Sequence, residues 1–257
     1  MNTPASEAIK NLENYLRRRP RALLLLSGGT DSSLLLAVAA RVLGSGLTAL
    51  TFTGPHICPG ELAAAWALAR RFRVKHLVRQ IDPLTLPDFQ QNTRRRCYAC
   101  KKAVIQAGWE MAAALGAQVM WDGTNVDDLG DFRPGLEAAR ELGVDSPLLA
   151  AGLDKAAIRR ASRHLGLPWQ KPPQSCLATR FPYDTLLTRE ALARVGQAEA
   201  WLRRQGFSRV RLRVKGDRAR LELAPTDWPR FLTPEVRRPF SALASRLGWS
   251  RVDLEVG

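Results

Sequence analysis

The chain has 257 residues, 46% hydrophobic and 25% charged, enough for one large or two small packed domains. Its longest apolar runs, such as Ala22 to Leu26, fall short of the roughly 20 residues a membrane helix needs, and four cysteines are too few for a disulfide scaffold. The net charge of +15 points to a phosphorylated or polyanionic partner, and the N-terminus lacks a basic-then-apolar leader, so a cytoplasmic setting is expected.

Residues 5 to 18 read as an amphipathic helix, and "RALLLL" (21 to 26) as a buried parallel strand. "SGGTDSS" follows, then a helix over 32 to 43, a strand at 47 to 52 and a helix over 59 to 72. A third strand is expected at "VKHLVR", a third helix over 102 to 116 and a fourth strand at "AQVMWD". This alternation predicts an α/β fold, with a parallel sheet covered by helices on both faces. "DGTNVDDLGDFRPG" reads as a loop, and "DKAAIRRASRHLG" as a helix capped by Asp154 and stopped at Gly166. The Pro-rich "LPWQKPPQ" marks the expected domain boundary, dividing 1–172 from 173–257. Beyond it the sequence predicts a small α+β module: a helix over 188 to 205, two strands, a helix broken early by Pro234 and Pro239, and a last strand "RVDLEV".

In "LLLLSGGTDSS" a buried strand enters a Gly-Gly turn and then a helix. Gly28 and Gly29 permit unusual backbone angles, and N–H groups of the turn and helix start point at an anion. Ser27, Ser32 and Ser33 add hydroxyl donors, and the place is the carboxyl end of a parallel sheet, where α/β proteins bind ligands. The loop lacks the lysine pattern of a Walker A motif.

"SGGTDS" after a first strand resembles the pyrophosphatase loop (PP-loop) of the N-type ATP pyrophosphatases. That resemblance implies cleavage of ATP between its α and β phosphates, with adenylylation of an acceptor oxygen. It implies that Ser27, Gly28, Gly29, Thr30, Asp31, Ser32 and Ser33 hold ATP, joined by Gly123, Thr124 and Asn125, with Asp31 also holding Mg²⁺. "RCYACK", "DGTNVDDLGDFRPGLEAARELGVDSPL", "KAAIR", "KPPQSCLATRFPYD" and "RVRLRV…ARLEL" resemble the LarE family in order and over most of the chain. Membership would imply an ATP-dependent sulfur transferase. Its substrate would be a pyridinium dicarboxylate mononucleotide on the route to a nickel-pincer cofactor, and its assembly a homo-oligomer built through the C-terminal α+β domain. Ser175 stands where the family commonly has proline, and Asp184 where it commonly has glycine.

Cys97 and Cys100 form a C-x-x-C amid Arg94, Arg95, Arg96, Lys101 and Lys102. Read alone, the pair leaves open a zinc site, a redox dithiol, an iron–sulfur site and two inert thiols. A thioredoxin-like dithiol is expected at the start of a helix soon after the first strand. Cys176, in "QSCLATR", matches the sulfur-donor stretch of LarE. The resemblance to its three-cysteine members implies that Cys97, Cys100 and Cys176 hold a [4Fe–4S] cluster with one open iron, fed by sulfide or another sulfur donor. Sacrificial use of Cys176, which would become dehydroalanine, is the alternative. Cys58 is expected to be structural.

In "SRVRLRVKGD", Val210, Leu212 and Val214 face one side of a strand and Arg209, Arg211 and Arg213 the other. Arg211 and Arg213, about 7 Å apart, suit a phosphate. The resemblance assigns substrate contacts to Lys101, Arg180, Arg211, Arg213, Glu199 and Glu222, the two glutamates as candidate metal or partner contacts. The rival enzyme is a PP-loop tRNA thiolase, favoured by the charge. "DGTNVDDLGDFRPG" and "CLATRFPYD" argue against it, so nucleic acid is not the expected partner.

Overall fold

The structure, a computed structural model, describes residues 4–130, 133–172 and 174–255. The chain divides into two compact units. The first comprises Met1–Gly54, Gly60–Pro83 and Cys97–Pro173; the second comprises Pro55–Pro59, Leu84–Arg96 and Gln174–Gly257. Pro173, at the expected boundary, lies outside the described residues, as do Asp131 and Phe132 of the expected loop and Val256 of the last strand. Residues 55–59 and 84–96, which precede the Pro-rich junction, pack with the second unit.

The first unit holds α1 (Pro4–Leu16), β1 (Ala22–Leu25), α2 (Thr30–Leu43), β2 (Leu47–Thr53), α3 (Glu61–Arg71) and β3 (Lys75–Gln80). The four-residue α4 (Pro87–Gln90) belongs to the second unit, and the chain then returns to the first with α5 (Arg96–Ala114) and β4 (Val119–Trp121). α6 (Pro134–Glu141), α7 (Pro147–Ala150) and α8 (Lys155–His164) complete it. The four strands form a parallel sheet in the order β3-β2-β1-β4, so β1 sits inside with partners on both edges.

The apolar run of β1 is buried on both faces. Ala22, Leu24 and Leu26 join a core with α1, α2, α3 and α8, while Leu23 packs on the opposite face with Ile105 and Ala112 of α5, Met120 of β4 and Ala139 of α6. Each fully buried leucine contributes about 1.5–3 kcal/mol of apolar burial. This two-sided packing makes β1 a stiff platform for the loop that leaves its carboxyl end.

The second unit adds α9 (Arg189–Arg204), β5 (Val210–Lys215), β6 (Arg218–Leu223), α10 (Trp228–Phe231), α11 (Pro234–Arg246) and β7 (Arg251–Glu255). β5 and β6 form an antiparallel hairpin, and β7 adds parallel to β6. Val210, Leu212, Val214, Ala219, Leu221 and Leu223 turn inward onto Leu192, Val195, Ala198 and Leu202 of α9 and Phe240 and Ala244 of α11.

Two expectations need correction. α11 starts at Pro234 and runs through Pro239 instead of breaking there. Pro234 takes the first turn, where its fixed φ suits a helix, and the single bond lost at Pro239 is outweighed by burial of the face carrying Phe240 and Ala244. α5 starts at Arg96, six residues earlier than expected, so Cys97 and Cys100 lie on a helix and not in a loop.

Candidate functional site

In the first unit, the turn between β1 and α2 is shaped by one glycine. Gly28 has φ +73°, and a Cβ there would come within 2.9 Å of Ala65 N and 3.1 Å of Glu61 O on α3. Gly29 has an ordinary extended backbone, φ −77° and ψ 169°, and a Cβ would meet only Ser27 Oγ, at 3.4 Å. Of the two glycines expected to permit unusual backbone angles, Gly28 alone adopts one. The Gly29 carbonyl accepts from Ser33 N (3.0 Å), Ser33 Oγ (2.6 Å) and Ser32 Oγ (3.2 Å), while Ser27 Oγ accepts from Gly29 N at 3.3 Å. The hydroxyls thus tie the loop to the first turn of α2, next to N–H groups that an anion can use.

Gly123, Thr124 and Asn125 leave β4 and lie beside this turn: a Cβ on Gly123 would sit 3.1 Å from Ser32 N and 3.4 Å from Asp31 Cβ. Asn125 is fully buried, held by Asp128 Oδ2 at 2.7 Å from its side chain and 3.0 Å from its N–H. From there it directs Nδ2 to Asp31 Oδ2 at 3.4 Å. Two lysines to which the sequence reading gave no role complete the loop. The Lys155 ammonium pairs with Asp31 Oδ2, and Lys171 Nζ donates to the Gly28 carbonyl at 2.8 Å. Burial pulls the Lys171 ammonium below its ordinary pKa, opposed by the negative charge of Glu61. Both lie in quoted motifs, "KAAIR" and "KPPQ", where a cation beside a phosphate loop was the available signal.

Cys97, exposed, and Cys100, half-buried, lie in the first two turns of α5 at a spacing of three. That spacing places both on one side of the helix. Burial, and then the charge of Cys97, push the Cys100 thiol up to about 12 against the opposing pull of Lys101. The pair does open a helix, as a redox dithiol would, but one that follows the third strand instead of the first. Lys101, expected to touch substrate, pairs with Asp122 Oδ2 at 3.0 Å, while Asp122 Oδ1 accepts from Thr124 N (3.1 Å) and Ser146 Oγ (2.9 Å). Burial would raise the Asp122 carboxyl, but Lys101 and the Thr124 bonds outweigh it and hold the pKa below the usual carboxylate value. The dithiol helix is thereby fastened to the loop carrying Thr124 and Asn125.

In the second unit, Cys176 caps a single 3₁₀ turn, Leu177–Arg180, with its carbonyl accepting from Thr179 N (3.0 Å) and Thr179 Oγ1 (2.7 Å). Arg180 Nη1 donates to Ser175 Oγ (2.7 Å) and Thr179 Oγ1 (2.8 Å), so Arg180 clamps the residues on both sides of the cysteine. Ser175, standing in for the family's common proline, contributes a hydroxyl to that clamp. Asp184 has φ +62°, the left-handed conformation that explains a common glycine at this place. Cys58 is buried, with its thiol against the Ser175 carbonyl at 3.3 Å.

Glu199 is fully buried, and its carboxylate accepts from Arg180, Arg203 Nη2 (2.7 Å) and Leu212 N (2.9 Å). It orients Arg180 and β5 instead of facing outward as a metal or partner contact would. Arg211 and Arg213 share the polar face of β5, Arg211 opposite Glu222 and Arg213 opposite Arg220. Glu222 pairs with Arg213. Burial, and next the like charge of Arg180, lower the pKa of Arg211 from its ordinary value, an environment that an anion would relieve. Among the described residues, no three His, Cys, Asp or Glu side chains gather as a metal site, and no helix is long and apolar enough to cross a membrane.

A strand–glycine turn–helix at the carboxyl end of a parallel sheet, with hydroxyls, helix N–H groups and lysines converging on it, defines the class: an ATP pyrophosphatase of the PP-loop type. The asparagine synthase family model matches residues 11–103. The NMN synthetase of Francisella tularensis has the same fold, with a TM-score of 0.55 and 20% identity over 68% of this chain and 76% of that one. The chain is 41% identical over 225 residues to an uncharacterized protein of Synechocystis sp., covering 87% of this chain and 84% of that protein. It is 33% identical over 246 residues to the pyridinium-3,5-bisthiocarboxylic acid mononucleotide synthase of Lactiplantibacillus plantarum, covering 94% of this chain and 88% of that protein. The chain belongs to the family of that synthase, the LarE family, and is an ATP-dependent sulfur-transferring enzyme.

Proposed function

We propose that the enzyme adenylylates a carboxylate of pyridinium-3,5-biscarboxylic acid mononucleotide and converts it to a thiocarboxylate. A carboxylate is a poor electrophile. Attack of its oxygen on the α-phosphorus of ATP releases pyrophosphate and leaves an acyl adenylate. A sulfur nucleophile then attacks the acyl carbon, and AMP departs. The residues from Ser27 to Ser33, with Gly123, Thr124 and Asn125, hold the nucleotide, and Asp31 holds Mg²⁺. Arg211 and Arg213 take the substrate phosphate. The 33% identity over 94% of the chain to the L. plantarum synthase carries this reading.

The sulfur is proposed to pass by way of Cys176, Cys97 and Cys100. The resemblance to three-cysteine members supports this reading: Cys97 and Cys100 lie three positions apart at the start of α5, and a [4Fe–4S] cluster held there would need Cys176 as its third thiolate. Bound there, the cluster would supply an open iron for inorganic sulfide. The C-terminal module is proposed to serve substrate binding and assembly into a homo-oligomer. Incubating enzyme made without oxygen with ATP, sulfide and the dicarboxylate mononucleotide should yield AMP, pyrophosphate and a thiocarboxylate in equal amounts. AMP formation together with sulfur incorporated into tRNA, in place of the mononucleotide, would instead establish the thiolase.

A further inference from the structure

Lys155 is the first residue of α8, at the end of the helix where the backbone dipole is positive. A cation is disfavoured there. Asp154 already caps the helix through Ala157 N at 2.6 Å, and the Lys155 N–H is taken by Asp127 Oδ2 at 2.9 Å, so the ammonium is not needed to close the helix. It extends to Asp31 Oδ2 in the phosphate loop. The other group on that oxygen, Asn125, is buried and fixed from two sides by Asp128, whereas the Lys155 side chain is 41% exposed on a flexible stem. Of these two described partners of Asp31, Lys155 is the one whose side chain can leave without disturbing the core.

Asp31 is also the carboxylate assigned to Mg²⁺. A divalent cation on this carboxylate repels an ammonium on Oδ2, because two positive charges a few ångströms apart in a partly desolvated loop share a single negative charge. A metal–triphosphate brings its own remedy, since its phosphates add negative charge within reach of the displaced lysine. We infer that Lys155 is a placeholder cation for the metal on Asp31 and passes to a phosphate oxygen when metal and nucleoside triphosphate arrive together. The loop then resists a bare divalent cation and accepts the metal–nucleotide complex. This inference rests on the proposed role of Asp31.

The test uses the full-length enzyme and its Lys155→Met and Lys155→Arg variants, with thermal melting to confirm folding. Binding of Mn²⁺ alone, read by the electron paramagnetic resonance of free Mn²⁺, should tighten about fivefold in Lys155→Met, the scale of one partly exposed ion pair. Binding of ATP with Mg²⁺, read by calorimetry, should weaken about tenfold in the same protein. Lys155→Arg, which keeps the charge, should stay near wild type in both. Unchanged or weaker Mn²⁺ binding in folded Lys155→Met overturns the placeholder role. Asp31→Asn separates the two readings. If wild type binds Mg·ATP and Asp31→Asn binds it equally well, the metal role of Asp31 itself fails, and the placeholder with it.

Discussion

Arg180 and Glu199 form a doubly hydrogen-bonded ion pair, Nε to Oε1 at 2.6 Å and Nη2 to Oε2 at 3.2 Å, with side chains 2% and 0% exposed. Arg203 and the N–H of Leu212 satisfy the rest of the carboxylate. Such a pair is weak as a source of net stability but costly to break, because the survivor is a buried charge without its partner. Glu199→Gln should therefore lower unfolding stability by about 3–5 kcal/mol in urea titration. A loss below about 0.5 kcal/mol, the usual surface value, would mean that Glu199 is not the anchor of this turn.

The two loop glycines should behave differently. Gly28→Ala places a Cβ against the α3 backbone at positive φ, at about 1–2 kcal/mol for the left-handed backbone alone. Displacing the loop by about 1 Å should cut ATP-dependent pyrophosphate release roughly 100-fold. Gly29→Ala meets one hydroxyl oxygen at 3.4 Å and should retain most of the rate. Equal losses in both, measured on folded protein, would remove Gly28 from its special place.

The thiols of metal-free protein should separate by reactivity. With its pKa pushed up to about 12, Cys100 stays protonated and slow to alkylate until strongly alkaline conditions, while exposed Cys97 reacts first. Mass spectrometry after brief iodoacetamide treatment at pH 8 should show Cys97 labelled and Cys100 unlabelled. Across the alkaline range in which circular dichroism shows the protein still folded, Cys100 labelling should rise with pH and stay far slower than that of Cys97, because only its thiolate attacks.

Cys97→Ala, Cys100→Ala and Cys176→Ala should each lose iron and sulfur transfer while adenylylation persists, and Cys58→Ala should keep both activities. Wild-type protein made without oxygen should carry about four irons per chain. Cys176 should keep its full mass over several turnovers. Loss of about 34 Da, the mass of H₂S leaving a cysteine as dehydroalanine, after one turnover would identify a sacrificial donor instead.

On β5, Arg213 pairs with Glu222, whereas half-buried Arg211 faces the like charges of Arg180, Arg213 and Arg209, opposed by Glu222 across the hairpin. Arg211→Ala should raise the KM for the mononucleotide about 10- to 100-fold, the range of a charge-assisted hydrogen bond, with ATP affinity nearly unchanged. Arg213→Ala should do less. Salt dependence should be shallow, as for a single phosphate; a steep slope would report a polyanion such as tRNA.

Local sequence determined a good deal of this protein. The run Ala22 to Leu26 is apolar at every position, so β1 had to be covered on both faces. The alternation in Val210 to Val214 set the buried side of β5. A strand, a Gly-Gly turn and a helix in succession located the phosphate loop, because those signals depend on neighbours a few residues apart. Tertiary structure alone decided which charges meet. Lys155 lies 124 positions from Asp31, and Lys171 lies 143 from Gly28. Glu199 read as a helix residue able to face a ligand, and became the buried partner of Arg180, Arg203 and β5. An exposed carboxylate and a buried one look alike in a list of residues. What separates them is whether folding strips the water away and brings a guanidinium in its place, and that depends on how distant segments pack, not on local periodicity.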